Sequence, residues 1–184
     1  MALLLYQSAA PMYDRFTGGP DRALRVLCRA FEAPGNNASR EVVTIAELDG
    51  RLAGALAAFP VDETVGRAGA FLRLALRVIP PWRWPSALWL YWSGARAVPN
   101  PPDAAFYIDA LAVEKQLRRR GAARSLLAAA EARARELGLP TIALDTSLDN
   151  KPARSLYLSA GYDEVAYRPA GRGLPGFVAL VKQL

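Results

Sequence analysis

The sequence predicts an α/β (α+β) fold with a central mixed, mostly antiparallel sheet, and three observations carry the prediction. Two apolar runs in EVVTIAELDGRLAGALAAFPV (41–61) are separated by Asp49-Gly50, the strongest short hairpin signal a sequence offers. AFYIDALAV (105–113) has the composition of a buried strand and leads into an amphipathic helical pattern over about 120–137. Beyond it, a strand, a short helix and two more strands account for the rest of the chain.

Taken in order, residues 3–7 (LLLYQ) read as a first strand. From Asp21 to Ala33 the apolar positions Leu24, Leu27, Ala30 and Phe31 recur at helical spacing, until Pro34-Gly35 ends the run. The hairpin supplies strands two and three. Residues 66–103 read as a Trp/Pro-rich helical insert: FLRLALRVI is amphipathic, all four tryptophans fall between 82 and 92, and PNPPD closes the segment. Strand four is 105–113. The helix after it puts Leu126, Leu127, Ala130, Ala134 and Leu137 on one stripe and Arg124, Glu131, Arg133, Arg135 and Glu136 on the other; Gly138 and Pro140 close it. TIALDTS (141–147) is strand five. Asn150 can cap a short helix with Pro152 in its first turn and Gly161 at its end, and YDEVAYRP and GFVALVKQL finish as strands six and seven. With no repeat or linker, residues 1–184 read as one domain.

Composition narrows the chemistry. Apolar residues make up 52% and charged ones 22%, as in a globular chain. The absence of histidine removes His-dependent triads, imidazole acid/base chemistry and the common zinc sites, so no metal is expected. The single cysteine, Cys28, cannot form an internal disulfide and is expected to pack inside the first helix. MALLLYQSAAP lacks a basic lead and its apolar run is short for a secretory signal. Arg73, Arg77, Arg83 and Pro80-Pro81 break up the apolar stretch 71–92, so no membrane span is expected and the location reads as cytoplasmic. The net charge of +6 favours an anionic partner.

One place concentrates that charge. In VEKQLRRRGAARSLL (113–127), Arg118, Arg119 and Arg120 meet Gly121, Ala122 and Ala123 where strand four gives way to the long helix. Arginines at a helix N-terminus oppose its dipole, so a bound anion explains them better than a solvated face does. The unpaired N–H groups there suit a phosphate, and small residues let it approach the backbone. The pattern is neither GK[ST] nor GxGxxG.

These residues resemble motif A of the GNAT superfamily of acyl-coenzyme A-dependent N-acyltransferases: a strand ending in Val, then R/Q-x-x-G-x-G/A, filled here by Val113, Arg118, Gly121 and Ala123. NKPARSLYLSAGY (150–162) is similar to motif B, N-x-x-A-x-x-L-Y-x-x-x-G-[FY], through Asn150, Ala153, Leu156, Tyr157, Gly161 and Tyr162. Lys115 and Arg119 depart from the frequent proline and glycine without removing an amide donor. The resemblance covers about 105–165 closely. It implies a GNAT fold splayed between strands four and five, and an acetyltransferase that moves the acetyl group of acetyl-CoA to a primary amine by direct attack. It further implies that the main chain of Leu111, Ala112 and Val113 meets the pantetheine arm. Arg118, Arg119, Arg120, Gly121, Ala122, Ala123 and Arg124 would hold the pyrophosphate, and Asn150, Ala153 and Tyr157 would complete the cofactor side.

For catalysis the resemblance points to Tyr157 as the group that protonates the leaving sulfur; a phenol near pKa 10 is reasonably matched to a thiolate of about 8.5–9. Asp109 interrupts an apolar strand, and by alternation shares a face with Tyr107 and Leu111. A carboxylate so placed needs a partner, water or a raised pKa, which suits a general base or an ion pair with an arginine; Asp145, Glu63 and Asp62 are its rivals. The tryptophans of the insert admit three readings: an acceptor wall, a homodimer face, or rings that finish the core. Two other classes compete with the enzyme, a nucleic-acid-binding basic domain and a non-catalytic CoA-binding sensor. No nucleic-acid motif is present, so no nucleic-acid partner is expected.

Overall fold

The computed structural model describes residues 1–171 and 173–184. Helices α1 (Ala2–Ser8), α2 (Ala10–Thr17) and α3 (Pro20–Glu32) come first, then β1 (Val43–Leu48) and β2 (Arg51–Pro60). Helices α4 (Thr64–Leu76) and α5 (Trp84–Ala97) follow, then β3 (Ala105–Val113), α6 (Ala122–Glu136), β4 (Thr141–Ser147), α7 (Lys151–Ser159), β5 (Asp163–Arg168) and β6 (Phe177–Gln183).

The six strands form one sheet in the order β1-β2-β3-β4-β6-β5. Only β3 and β4 run parallel; the other pairs are antiparallel. The hairpin turns at Asp49 and Gly50, both left-handed (φ 53° and 71°), the pair of positive φ values that a tight two-residue turn needs. Helices α6 and α7 cover one face. Leu126, Leu127, Ala130 and Ala134 of α6 bury against Leu56, Phe106, Ile108, Ile142, Leu144 and Leu180. Leu137 misses this stripe and is exposed, because α6 ends one residue earlier.

The other face carries α1 and α3, and here the sequence reading is corrected. Residues 3–7 belong to α1, not to a strand. An apolar run of this length has no period of its own, and what decides is the surface it meets. Ala55, Ala57, Ala110 and Ala112 give the sheet a shallow, methyl-lined face, on which adjacent residues Leu4 and Leu5 are both buried. A strand would turn one of them away. Cys28 is a second correction: α3 buries Ala23, Val26, Leu27 and Ala30, which leaves Cys28 exposed on its outer side. The tryptophans are a third. Trp82, Trp84, Trp89 and Trp92 are all exposed, so they do not finish the core.

Candidate active site

The parallel pairing of β3 with β4 lasts for four rungs, from Ala105↔Thr141 to Ile108↔Leu144, and then the strands part. Asp109 and Asp145 are the first residues beyond the last rung. On its other edge β3 stays paired with β2, but with a bulge: Ala57 faces Ala110 and Ala58 faces Ile108, so Asp109 is the extra residue. The bulge reverses the alternation. Phe106, Ile108 and Leu111 lie on the α6 face, whereas Tyr107, Ala110 and Ala112 lie on the opposite face. Asp109 thus keeps company with Tyr107 but not with Leu111.

Asp109 and Asp145 sit in a polar cluster. The Tyr107 hydroxyl donates a hydrogen bond to Asp145 Oδ1. Asn37 Nδ2 donates to Asp109 Oδ2 at 3.1 Å. Asn37 is placed by its neighbour: buried Asn36 donates from Nδ2 to the carbonyls of Ala30 (2.9 Å) and Ala33 (2.7 Å), and its Oδ1 accepts from the Ala38 N–H. This ties the loop down at the end of α3.

Solvent reaches Asp109, yet protein crowding strips enough hydration to raise its pKa. Together with the Asp145 charge, and against the Asn37 donor, it brings Asp109 up to about 7. Half-buried Asp145 is pushed up to about 6 by burial, against the Tyr107 hydrogen bond. Tyr13 of α2 is held well above its ordinary value by burial and then by the Asp109 charge. Of the rival carboxylates only Asp145 joins this group. Glu63 pairs with Arg67 at 2.6 Å, and Asp62 is exposed in a 3₁₀ turn.

Beyond Asp109 the free edge of β3 turns toward the gap. Glu114 N–H donates to the Ala53 carbonyl, so by antiparallel alternation Ala112 spends its main-chain groups on β2 while Leu111 and Val113 direct theirs the other way. Arg118 Nε donates to the Val113 carbonyl at 3.1 Å, which leaves the Val113 N–H as the donor at that position.

The turn into α6 follows. Arg119 (φ 63°) and Gly121 (φ 90°) are both left-handed, and Gly121 is the N-cap with no side chain capping the first turn. A Cβ built on Gly121 would meet no atom within 4 Å, so its outer side is open. Arg120 pairs with Asp49 of the hairpin at 2.7 Å, and Arg124 Nη2 donates to Ser159 Oγ at 3.3 Å. The arginines therefore ring the turn without covering it.

Asn150 Oδ1 accepts from the Ala153 N–H at 3.4 Å, capping α7, while Nδ2 donates to Thr146 Oγ1 of β4 at 3.2 Å. Ala153 packs against the main core. Tyr157 is buried, with its ring 5.9 Å from that of Tyr162. Burial and then the Asp145 charge push the Tyr157 phenol up to about 12, which widens its mismatch with a thiolate. Asn37 and Tyr13 escape a sequence reading, since one lies in a polar loop and the other in an unpatterned stretch.

Residues 86–162 match the family model for the acetyltransferase (GNAT) family. A search of curated protein sequences found no match. Among solved structures, an N-acetyltransferase from Staphylococcus aureus Mu50 is 18% identical, with 98% of this chain and 92% of that chain covered at a TM-score of 0.72. A crystal structure described as an acetyltransferase is 17% identical, with 99% and 92% covered at 0.69. A Bacillus anthracis str. Ames protein assigned as a streptothricin acetyltransferase, in complex with acetyl coenzyme A, is 16% identical, with 77% and 61% covered at 0.52. The mixed sheet opening between two parallel strands, with helices on both faces, is the fold that the first two of these acetyltransferase structures share with this chain. The matched stretch spans both sequence motifs.

Proposed function

We propose that this protein transfers the acetyl group of acetyl-CoA to a primary amine of a small molecule or protein by direct attack. The reading rests on one observation above the others: the sheet opens immediately before Asp109 and Asp145, and the unpaired edge of Leu111 and Val113 borders the same gap. The residues present fit the cofactor. A bare strand edge suits the amide-bearing pantetheine arm, and the open N-terminal turn of α6, with Gly121, Ala122 and Ala123 and the flanking Arg118, Arg119, Arg120 and Arg124, suits a pyrophosphate. One neighbour of the fold carries acetyl coenzyme A, which supports the same assignment. Asn150 and Ala153 would border the cofactor through the start of α7. When bound, acetyl-CoA supplies an activated acyl group on a good leaving thiolate.

Asp109 takes the proton that the amine gives up as the C–N bond forms. Its pKa of about 7 balances ionisation against basicity near neutral pH. The Val113 N–H is the donor to the carbonyl oxygen as charge builds there. Tyr157 donates a hydrogen bond to sulfur as the C–S bond breaks. Full transfer from a phenol near 12 to a thiolate near 9 is uphill by about 3 units, on the order of 4 kcal/mol. Hydrogen-bond donation therefore carries the step, and the released thiolate takes its proton from solvent.

A panel of amines with detection of the released thiol tests the activity, preceded by thermal unfolding with acetyl-CoA. A ligand at a hundredfold its Kd stabilises by about 2.7 kcal/mol. A melting temperature unmoved by saturating acetyl-CoA overturns the proposal.

A further inference from the structure

Residues 64–102 contain all four tryptophans and five arginines (Arg67, Arg73, Arg77, Arg83 and Arg96), but no aspartate or glutamate. Despite its apolar sequence the segment is barely buried: α4 buries only Ala75, and α5 only Ala87 and Leu90. Trp82, in the 3₁₀ turn that leads into α5, and Pro85, Trp89, Trp92 and Arg96 of α5 recur at alternating three- and four-residue spacing, which aligns them along one side, and all five are exposed, with the Arg15 guanidinium 5.6 Å from the centre of the Trp89 ring. Trp82 is 79% exposed and Trp92 56%. At 1.5 Å per residue the three rings span about 15 Å. Trp84 fixes the elbow between the two helices, its Nε1 donating to the carbonyls of Leu76 (3.2 Å) and Ile79 (3.1 Å), with exposed Arg77 between them.

The geometry points to a peripheral membrane-binding face: the Trp82–Trp89–Trp92 side of α5 lies in the headgroup layer of an anionic phospholipid bilayer, with Arg77 and Arg96 on the lipid phosphates. Indole rings prefer that depth, where an apolar body and a polar N–H are both satisfied. A short helix with tryptophan on one side and arginine at its ends lies in the interface plane. No described helix is long and apolar enough to cross a membrane. Charge separates this occupant from a second copy of the chain. A symmetric self-contact would bring arginines onto arginines with no carboxylate in the segment to pair them, whereas anionic lipid neutralises them.

The full-length protein carries its own probe, because tryptophan emission comes entirely from residues 82–92. It is mixed with vesicles of phosphatidylcholine alone, or containing roughly one-third phosphatidylglycerol, a composition that gives the surface a negative potential. The expected result is sedimentation with the anionic vesicles only, a blue-shifted emission, and release by salt. W82S/W92S changes two exposed side chains, and its fold is checked by circular dichroism and melting temperature; its partition should fall by about tenfold or more. Each of R77Q and R96Q should weaken binding about fivefold. Failure to bind anionic vesicles at low salt overturns the proposal, as does full binding by W82S/W92S. So does a blue shift that tracks protein concentration and a doubled mass without vesicles, the sign of a second copy on this face.

Discussion

Asp109 and Asp145 occupy matching positions one residue past the last rung of the β3–β4 pair, and burial, then the charge of Asp145, raises the pKa of Asp109. Burial holds both carboxyls above the usual carboxylate range, Asp145 at about 6 and Asp109 at about 7. A base must be ionised to act. Activity is therefore expected to rise with pH through about 7 and then level, as read from kcat/KM between pH 5.5 and 9 in steps of about half a unit. A profile flat across that range would remove both carboxylates from the chemistry.

Asp109→Asn separates a base from a structural group. As the base, Asp109 is worth about 10²–10⁴ in kcat/KM. Its folded pKa lies above the unfolded value of about 3.9, so between roughly pH 4 and 7 the folded state holds a proton that the unfolded state has released. Stability then falls as pH rises through that window. The asparagine variant should lose this slope and melt no lower than the wild type at pH 8. Lost activity together with a lower melting temperature would show the carboxylate to be structural.

Asn37 is a positioning residue in this scheme, since its amide touches the carboxylate and not the substrate. Its donor lowers the Asp109 pKa, so Asn37→Ala should raise it and move the acid limb of the profile to higher pH. Activity lost at pH 7 should return above pH 8.5. A uniform loss at every pH would mean that the loop had simply collapsed.

The path to this site shows what a sequence can and cannot disclose. The Asp49-Gly50 hairpin, the α6 stripe and the Asn150 cap follow from local rules, because each depends on residues within one or two turns of chain. Residues 3–7 do not, since LLLYQ carries no period and its helix is selected by an alanine face built from β2 and β3. The side of β3 that Asp109 faces was legible only as far as Tyr107. A bulge is a property of two strands paired together, and no count along one strand reveals it. Asn37 lies 72 residues from Asp109, and nothing in GNNAS announces that it will arrive there.

Gly121 tests the anion corner apart from the chemistry. Its φ of 90° disfavours any side chain, so Gly121→Ala should cost about 1 kcal/mol of stability from backbone strain alone, there being no atom within 4 Å to clash with. The new methyl would stand on the open side of the turn where the pyrophosphate is expected. Calorimetric titration with coenzyme A should show affinity falling about tenfold, with the rate at saturation kept. Unchanged affinity would place the phosphates elsewhere.

Tyr157→Phe isolates the leaving-group step. The ring packs in the main core and against Tyr162, so phenylalanine keeps the packing and removes one hydroxyl. That hydroxyl is not one of the sealed, unpartnered atoms among the described residues, and its loss should hardly change the melting temperature. A hydrogen bond that strengthens only as sulfur acquires charge appears in kcat and not in cofactor affinity. We expect kcat to fall by about 10²-fold with coenzyme A binding unchanged. Because the phenol keeps its proton up to about 12, the variant should lose this factor equally at pH 7 and pH 9. A thioester with a more acidic leaving thiol, which needs less help, should recover much of the rate. If it recovers none, Tyr157 acts on the fold and not on the sulfur.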